Sequence, residues 1–199
     1  MILKSKNFQP RIPRIFTEKK PWPAWVFVSA SLGERAFLDE IQRDLRDLSA
    51  INVDGIAALP RLLQVVALRV GSPLNMADLG RTLGLNQVTL KRYLTLFEAL
   101  FLVKRLPPWF ENMGKRLAKT PKLYFNDAGL LGYLLDLDPE SLDSRPTQVG
   151  PLVENFVVME LTKLVAWSRV RPSLYHMRTS AGLEVDSVME NRKRELVGI

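Results

Sequence analysis

Apolar positions recur at helical spacing over residues 34–50, where Phe37, Leu38, Ile41, Leu45 and Leu48 fall on one face. The opposite face alternates in sign through Glu34, Arg35, Asp39, Glu40, Arg43, Asp44, Arg46 and Asp47, a pattern that supports an exposed helix by pairs four positions apart. A second apolar run, Leu62, Leu63, Val65, Val66 and Leu68, predicts a helix from Pro60 to about Val70. Proline suits a first turn, where no amide partner is needed, and Gly71-Ser72-Pro73 ends the run. Residues 1–25 contain four prolines and no helical period, so 1–33 reads as an extended arm. Residues 141–149, polar and with Pro139, Pro146 and Gly150 in or around them, are the candidate linker.

Between Leu74 and Leu94 the pattern becomes specific. Asn75 is placed to cap one helix, with Asp78 three residues on to bond back. Ala77 is small, as a close helix crossing requires, and Gly84 supplies a left-handed turn. Asn86 is placed to cap a second helix, with Val88, Leu90, Leu94 and Phe97 inward and Gln87, Thr89, Lys91 and Arg92 outward. This is the layout of a helix-turn-helix, whose second helix can enter a major groove. Residues 101–106 then read as a strand paired with 122–125, which would make the basic, proline-bounded loop between them a wing. Asp127 is expected to cap a short helix holding Leu130, Leu131, Tyr133 and Leu134.

Charge sharpens this picture. The chain carries a net charge of +7, and lysine and arginine concentrate in the arm and in residues 104–122. Lys115, Arg116 and Lys119 are the candidate phosphate contacts there, beside Gln87, Thr89, Lys91 and Arg92 on the helix. Such clusters are also what a solvated tail and loop look like, and many winged helices touch no nucleic acid. Binding, where it occurs, is expected to be electrostatic and weakly selective for sequence. There is no cysteine and a single histidine, His176, so thiolate chemistry and multi-histidine metal sites are excluded, and a cytoplasmic setting is expected. The longest apolar-rich segment, Leu152 to Trp167, is interrupted by Glu154, Asn155, Glu160 and Lys163, so no membrane span is expected.

Near the end, residues 150–167 read as a helix with Glu154 in its first turns, followed by a strand over 174–178. In the next strand Glu184, Asp186 and Glu190 share one face, and Leu183, Val185, Ser187 and Met189 the other. Convergent carboxylates can hold Mg²⁺ and support phosphodiester hydrolysis. The residues alone favour the plainer alternative, an acidic strand face that is solvated or paired with Arg178 or Arg192.

These stretches, with 41–48, 79–94, 122–130, 150–161 and 182–186 in this order, resemble the region called DUF4143, found after the ATPase domain in a large prokaryotic AAA-type family. The resemblance spans roughly residues 35 to 199. It implies an α+β, mostly helical fold: a winged helix-turn-helix within 34–138, then an incomplete restriction-endonuclease-like α/β unit, similar to the PD-(D/E)xK nucleases, over 150–199. In that pattern Glu154 matches the glutamate of the first core helix and Asp186 the metal-binding aspartate. The family's Glu-x-Lys would follow 195–199 and is not in this sequence, so the metal site is expected to be vestigial, with no catalytic residue named. No cofactor is expected, and Mg²⁺ only at a completed site. No G-x-x-x-x-G-K-[ST] loop occurs either, so the phosphate cradle of an ATPase is absent. The expected role is an accessory module, non-enzymatic, contacting DNA or the ATPase domain of a longer protein, with self-association through an open sheet edge as a further expectation. The alternative is a metal-dependent nuclease, inactive in this chain.

Overall fold

The computed structural model describes residues 53–137, 146–179 and 182–199. The arm, the helix expected over 34–50, residues 141–145 of the linker and the turn at 180–181 lie outside the described residues. The elements are α1 (Val53–Ala67), α2 (Met76–Leu83), α3 (Gln87–Ala99), β1 (Val103–Leu106), α4 (Met113–Ala118), β2 (Lys122–Phe125), α5 (Ala128–Leu134), α6 (Pro146–Trp167), β3 (Ser173–Arg178), β4 (Glu184–Glu190) and β5 (Leu196–Gly198). The described residues therefore form a mixed α/β structure with two small antiparallel sheets, β1-β2 and β3-β4-β5. Among them, no helix is long and apolar enough to cross a membrane.

Helix α1 begins well before the expected start, and Pro60 lies inside it. A mid-helix proline leaves one carbonyl a turn earlier without its donor. Burial of Leu59, Leu62, Leu63 and Val66 outweighs that local preference. The caps of the next two helices are as expected: Asn75 Oδ1 accepts from the Asp78 amide at 3.0 Å, and Asn86 Oδ1 from the Thr89 amide at 2.8 Å. Asp78 does not bond back to Asn75; its carboxylate takes Arg69 at 2.7 Å. Gly84 closes α2 at φ 68°. The close approach falls at Gly80 rather than Ala77, which is exposed: a Cβ on Gly80 would stand 2.8 Å from the Leu85 carbonyl oxygen.

Helix α3 is held by Leu90, Tyr93, Leu94 and Phe97, all buried, but Val88 points outward at 81% exposure. Strands β1 and β2 pair antiparallel, Val103 opposite Phe125 and Leu106 opposite Lys122. The segment between them is not a free tip. It contains α4, capped by Asn112. It also crosses to the second sheet, where the His176 amide donates to the Pro107 carbonyl at 3.0 Å and the Trp109 amide to the His176 carbonyl at 2.6 Å. Asp127 caps α5 through the Leu130 amide, as expected.

Helix α6 starts at Pro146, so the end of the expected linker is helical. Its buried Asn155 side chain both accepts from the Phe125 amide (2.7 Å) and donates to the Phe125 carbonyl (3.0 Å), which clips α6 to β2. One core, with Leu62, Leu94, Phe97, Phe125, Leu131, Leu152 and Val158, runs from α1 to α6. β3 lies against the 107–109 crossing, and β5 is the other edge of its sheet, with Leu196 and Val197 exposed.

Candidate functional site

Strand β2 places Lys122 and Tyr124 two residues apart, so both side chains leave the same face. All four residues of β2 are buried, including Lys122 at 1% exposure. A buried ammonium requires compensation. Lys122 Nζ lies 3.0 Å from Glu154 Oε1, 2.8 Å from Glu184 Oε1 and 3.0 Å from Asp186 Oδ1. Glu154 comes from the third turn of α6, and Glu184 and Asp186 from alternate positions of β4. The Tyr124 hydroxyl donates to Glu154 Oε1 at 2.6 Å. The other Glu154 oxygen rests on Gly71, where φ is 72° and a Cβ would stand 2.8 Å from it. One cation thus ties the helical part of the chain to α6 and to the second sheet.

The electrostatics follow from this geometry. Burial pulls the Lys122 ammonium down, but the bonds from Glu184, Asp186 and Glu154 outweigh it, and its pKa lies above the ordinary lysine value. Burial and the bond to Glu154 hold the Tyr124 phenol far above its usual range. His176 is 4% exposed; burial, then the nearby Lys122 charge, outweighs the Thr120 backbone beside its ring and lowers it to about 4.

A divalent metal does not fit this arrangement. The three oxygens stand at 2.8–3.0 Å from Nζ, which is ammonium hydrogen-bonding distance, whereas Mg²⁺ binds oxygen at about 2.0–2.1 Å. The charge such an ion would supply is already supplied by Lys122.

A second buried pair lies nearby. Arg116, 5% exposed, makes a two-pronged contact with Glu190, its Nη2 at 3.0 Å from Oε1, and its Nε donates to the Phe110 carbonyl. The guanidinium sits between Trp109 and Tyr175, 5.3 Å and 4.8 Å from the ring centroids. Glu190 holds the Arg116 pKa up, and Arg116 holds that of Glu190 below the usual carboxylate range.

The structure therefore brings Glu154 and Asp186 to one atom and adds Glu184 to them. It places Glu190 elsewhere, on Arg116. It also removes Arg116 from the candidate phosphate contacts, because its charge is buried and spent on Glu190. Lys115 and Lys119 remain exposed on and just after α4; Gln87, Lys91 and Arg92 are exposed and Thr89 half-buried at the start of α3. Lys122 and Tyr124 were not among the sequence-derived site residues. The available signal was a lysine and a tyrosine at alternate positions of an otherwise apolar strand.

Among known families, Domain of unknown function (DUF8612) matches residues 29–141, over half the chain. The chain belongs to the DUF8612 family. Residues 149–199 match a second family, Domain of unknown function (DUF4143). The resemblance to DUF4143 expected from about residue 35 is thus shown only over its last part, while the part carrying α1 to α5 and Lys122 is DUF8612. The chain is 36% identical over 146 residues to the uncharacterized protein Rv2008c of Mycobacterium tuberculosis and, equally, to the uncharacterized protein Mb2031c of Mycobacterium bovis. Each alignment covers 73% of this chain and 32% of the relative, so the matched region spans about a third of the length of these relatives. No solved structure matches the chain. The Lys122 cluster joins the two matched regions, with Lys122 and Tyr124 in DUF8612 and the three carboxylates in DUF4143.

Proposed function

We propose that this chain is a nucleic-acid-binding accessory module, the non-ATPase part of an AAA-type protein, in which α2, α3 and the β1-β2 pair act as a winged helix-turn-helix. The observation that carries the reading is the start of α3: Gln87, Val88, Lys91 and Arg92 all face solvent, while Leu90, Tyr93 and Leu94 anchor the helix from behind. Amide, apolar and cationic side chains exposed on the first two turns are the set that reads and grips a major groove. Lys104, Lys115 and Lys119 add exposed positive charge for phosphates. The test is fluorescence anisotropy on a labelled 20-base-pair duplex across a salt series. Lys91→Ala with Arg92→Ala should weaken binding to all sequences and reduce the log–log salt slope by about 2. Binding that ignores salt, or a double variant that binds as the parent does, would remove the reading.

The convergence of Glu154, Glu184 and Asp186 is what favours a second reading, a metal-dependent nuclease. Lys122 supports the opposite role for the cluster, a structural lock between the two parts of the chain. The expected outcome is no Mg²⁺-dependent cleavage of DNA or RNA. Cleavage that disappears in Asp186→Ala would make the nuclease the leading reading.

A further inference from the structure

We propose that the cleft between the C-terminal end of α3, β1 and α6 seats an unpaired base of a single-stranded nucleic acid. The cleft is an open one of about 470 Å³, within the range of small-ligand sites. Three of its lining residues carry a buried polar atom with no hydrogen-bond partner: Arg105 Nε, Asn126 Oδ1 and Thr162 Oγ1. Two of these side chains are oriented by the bonds their other atoms make. Arg105 holds Glu98 at 3.1 Å, and Asn126 Nδ2 donates to the Phe101 carbonyl at 2.7 Å, which leaves Oδ1 as the open end of the amide. Buried polar atoms without partners are uncommon, and three within the residues of one cleft leave unmet hydrogen-bonding capacity just beneath its surface.

Phe101 supplies the second observation. It ends α3 in a paired-bond cap, with the Leu102 amide bonded to the Phe97 carbonyl (2.9 Å) and the Phe101 amide to the Glu98 carbonyl (3.1 Å). Its φ of 56° belongs to the left-handed region where glycine is the unstrained residue. The chain nevertheless holds a phenylalanine here and leaves it 78% exposed at the cleft. The ring therefore adds backbone strain and contributes little to the core. Such strain retained at an opening points to use by a ligand.

The chemistry selects the ligand. An exposed aromatic face, unmet hydrogen-bonding capacity at Arg105, Asn126 and Thr162, and the cation Lys104, with Lys163 beside it on Glu160 at 2.6 Å, match a planar heteroaromatic ring carrying an anion. Unpaired nucleotides offer that combination, and aromatic stacking beside a positive groove is how single strands are held. Base pairs in a duplex do not present their faces. This inference rests on the nucleic-acid reading of α3 and shares Lys104 with it; its other residues are separate, at the other end of that helix.

The test uses the full chain and a labelled single-stranded 12-mer with a central 2-aminopurine, beside the same 12-mer as a duplex. The single strand should bind tighter than the duplex and its 2-aminopurine fluorescence should be quenched. Phe101→Gly should abolish the quenching and weaken single-strand binding by at least about tenfold, while Tm stays level or rises because glycine relieves the backbone. Phe101→Trp should restore both signals, and Thr162→Val should weaken binding without loss of fold. Competition by free nucleoside monophosphates would identify the base alone as the ligand; competition by strands only would identify the strand. Equal binding of single strand and duplex, Phe101→Gly binding as the parent does, or a cleft that takes no oligonucleotide because a partner protein fills it, would each overturn the proposal. Duplex binding lost in the Lys91/Arg92 variant and kept in Phe101→Gly would leave the α3 reading standing by itself.

Discussion

At the scale of single residues, the structure is governed by where buried charge finds its counter-charge. Removing one partner of a buried ion pair costs about 3–5 kcal/mol, and Asp186, at 54% exposure, is screened by water. Lys122→Met should therefore destabilise the chain by about 2–3 kcal/mol in urea unfolding, since it leaves three carboxylates facing one another. A variant as stable as the parent would show that the cluster is not a lock. His176 sets a pH dependence. Its folded pKa, about 4, lies below the unfolded value of about 6.5, so the unfolded chain takes up the proton first. Its contribution is complete above pH 6.5 and fades as pH falls to 4, by up to about 3 kcal/mol. His176→Phe should flatten that part of the stability–pH curve; an unchanged slope would assign it to other groups.

At the scale of elements, local rules account for most of what the sequence foretold. Asn75, Asn86 and Asp127 cap their helices because each needs only an amide three residues away. The misses occur where a neighbour in space overrides the local preference: Pro60 inside α1, Val88 turned outward, Gly80 in place of Ala77 at the tight crossing. Gly80→Ala should accordingly cost about 1–3 kcal/mol, because its Cβ would meet a backbone oxygen rather than a movable side chain; a Tm within a degree of the parent would show that the turn can give way. The 107–121 segment was expected to be a free basic loop, and its own composition supports that. It is instead pinned through His176, and through Arg116 on Glu190, which no periodicity in the segment announces. Arg116→Ala is expected to destabilise the chain by about 3–5 kcal/mol, whereas Lys115→Ala with Lys119→Ala should leave Tm unchanged and only weaken nucleic-acid binding.

At the scale of the whole molecule, two buried cations from the DUF8612 region, Lys122 and Arg116, bind four carboxylates of the DUF4143 region. The two regions are expected to unfold as one unit, with fluorescence and circular dichroism transitions that coincide; separate transitions would show the ion pairs to be weak. The exposed edge of β5 predicts self-association of this 199-residue chain. Light scattering should show it rising with concentration and suppressed by Val197→Lys, and a strictly monomeric parent would contradict it. The sequence by itself determined helices α2 and α3, their caps and the left-handed glycine between them, because those bonds join residues three to five apart. It also marked Glu154 and Asp186 as a pair, through their resemblance to a family pattern. Only the tertiary structure decided what that pair faces. Lys122 meets Glu154 from 32 positions away and Asp186 from 64, and Arg116 meets Glu190 from 74. No local pattern carries that information, because the partner of a buried charge is chosen by which elements pack together, and that is settled by the core as a whole.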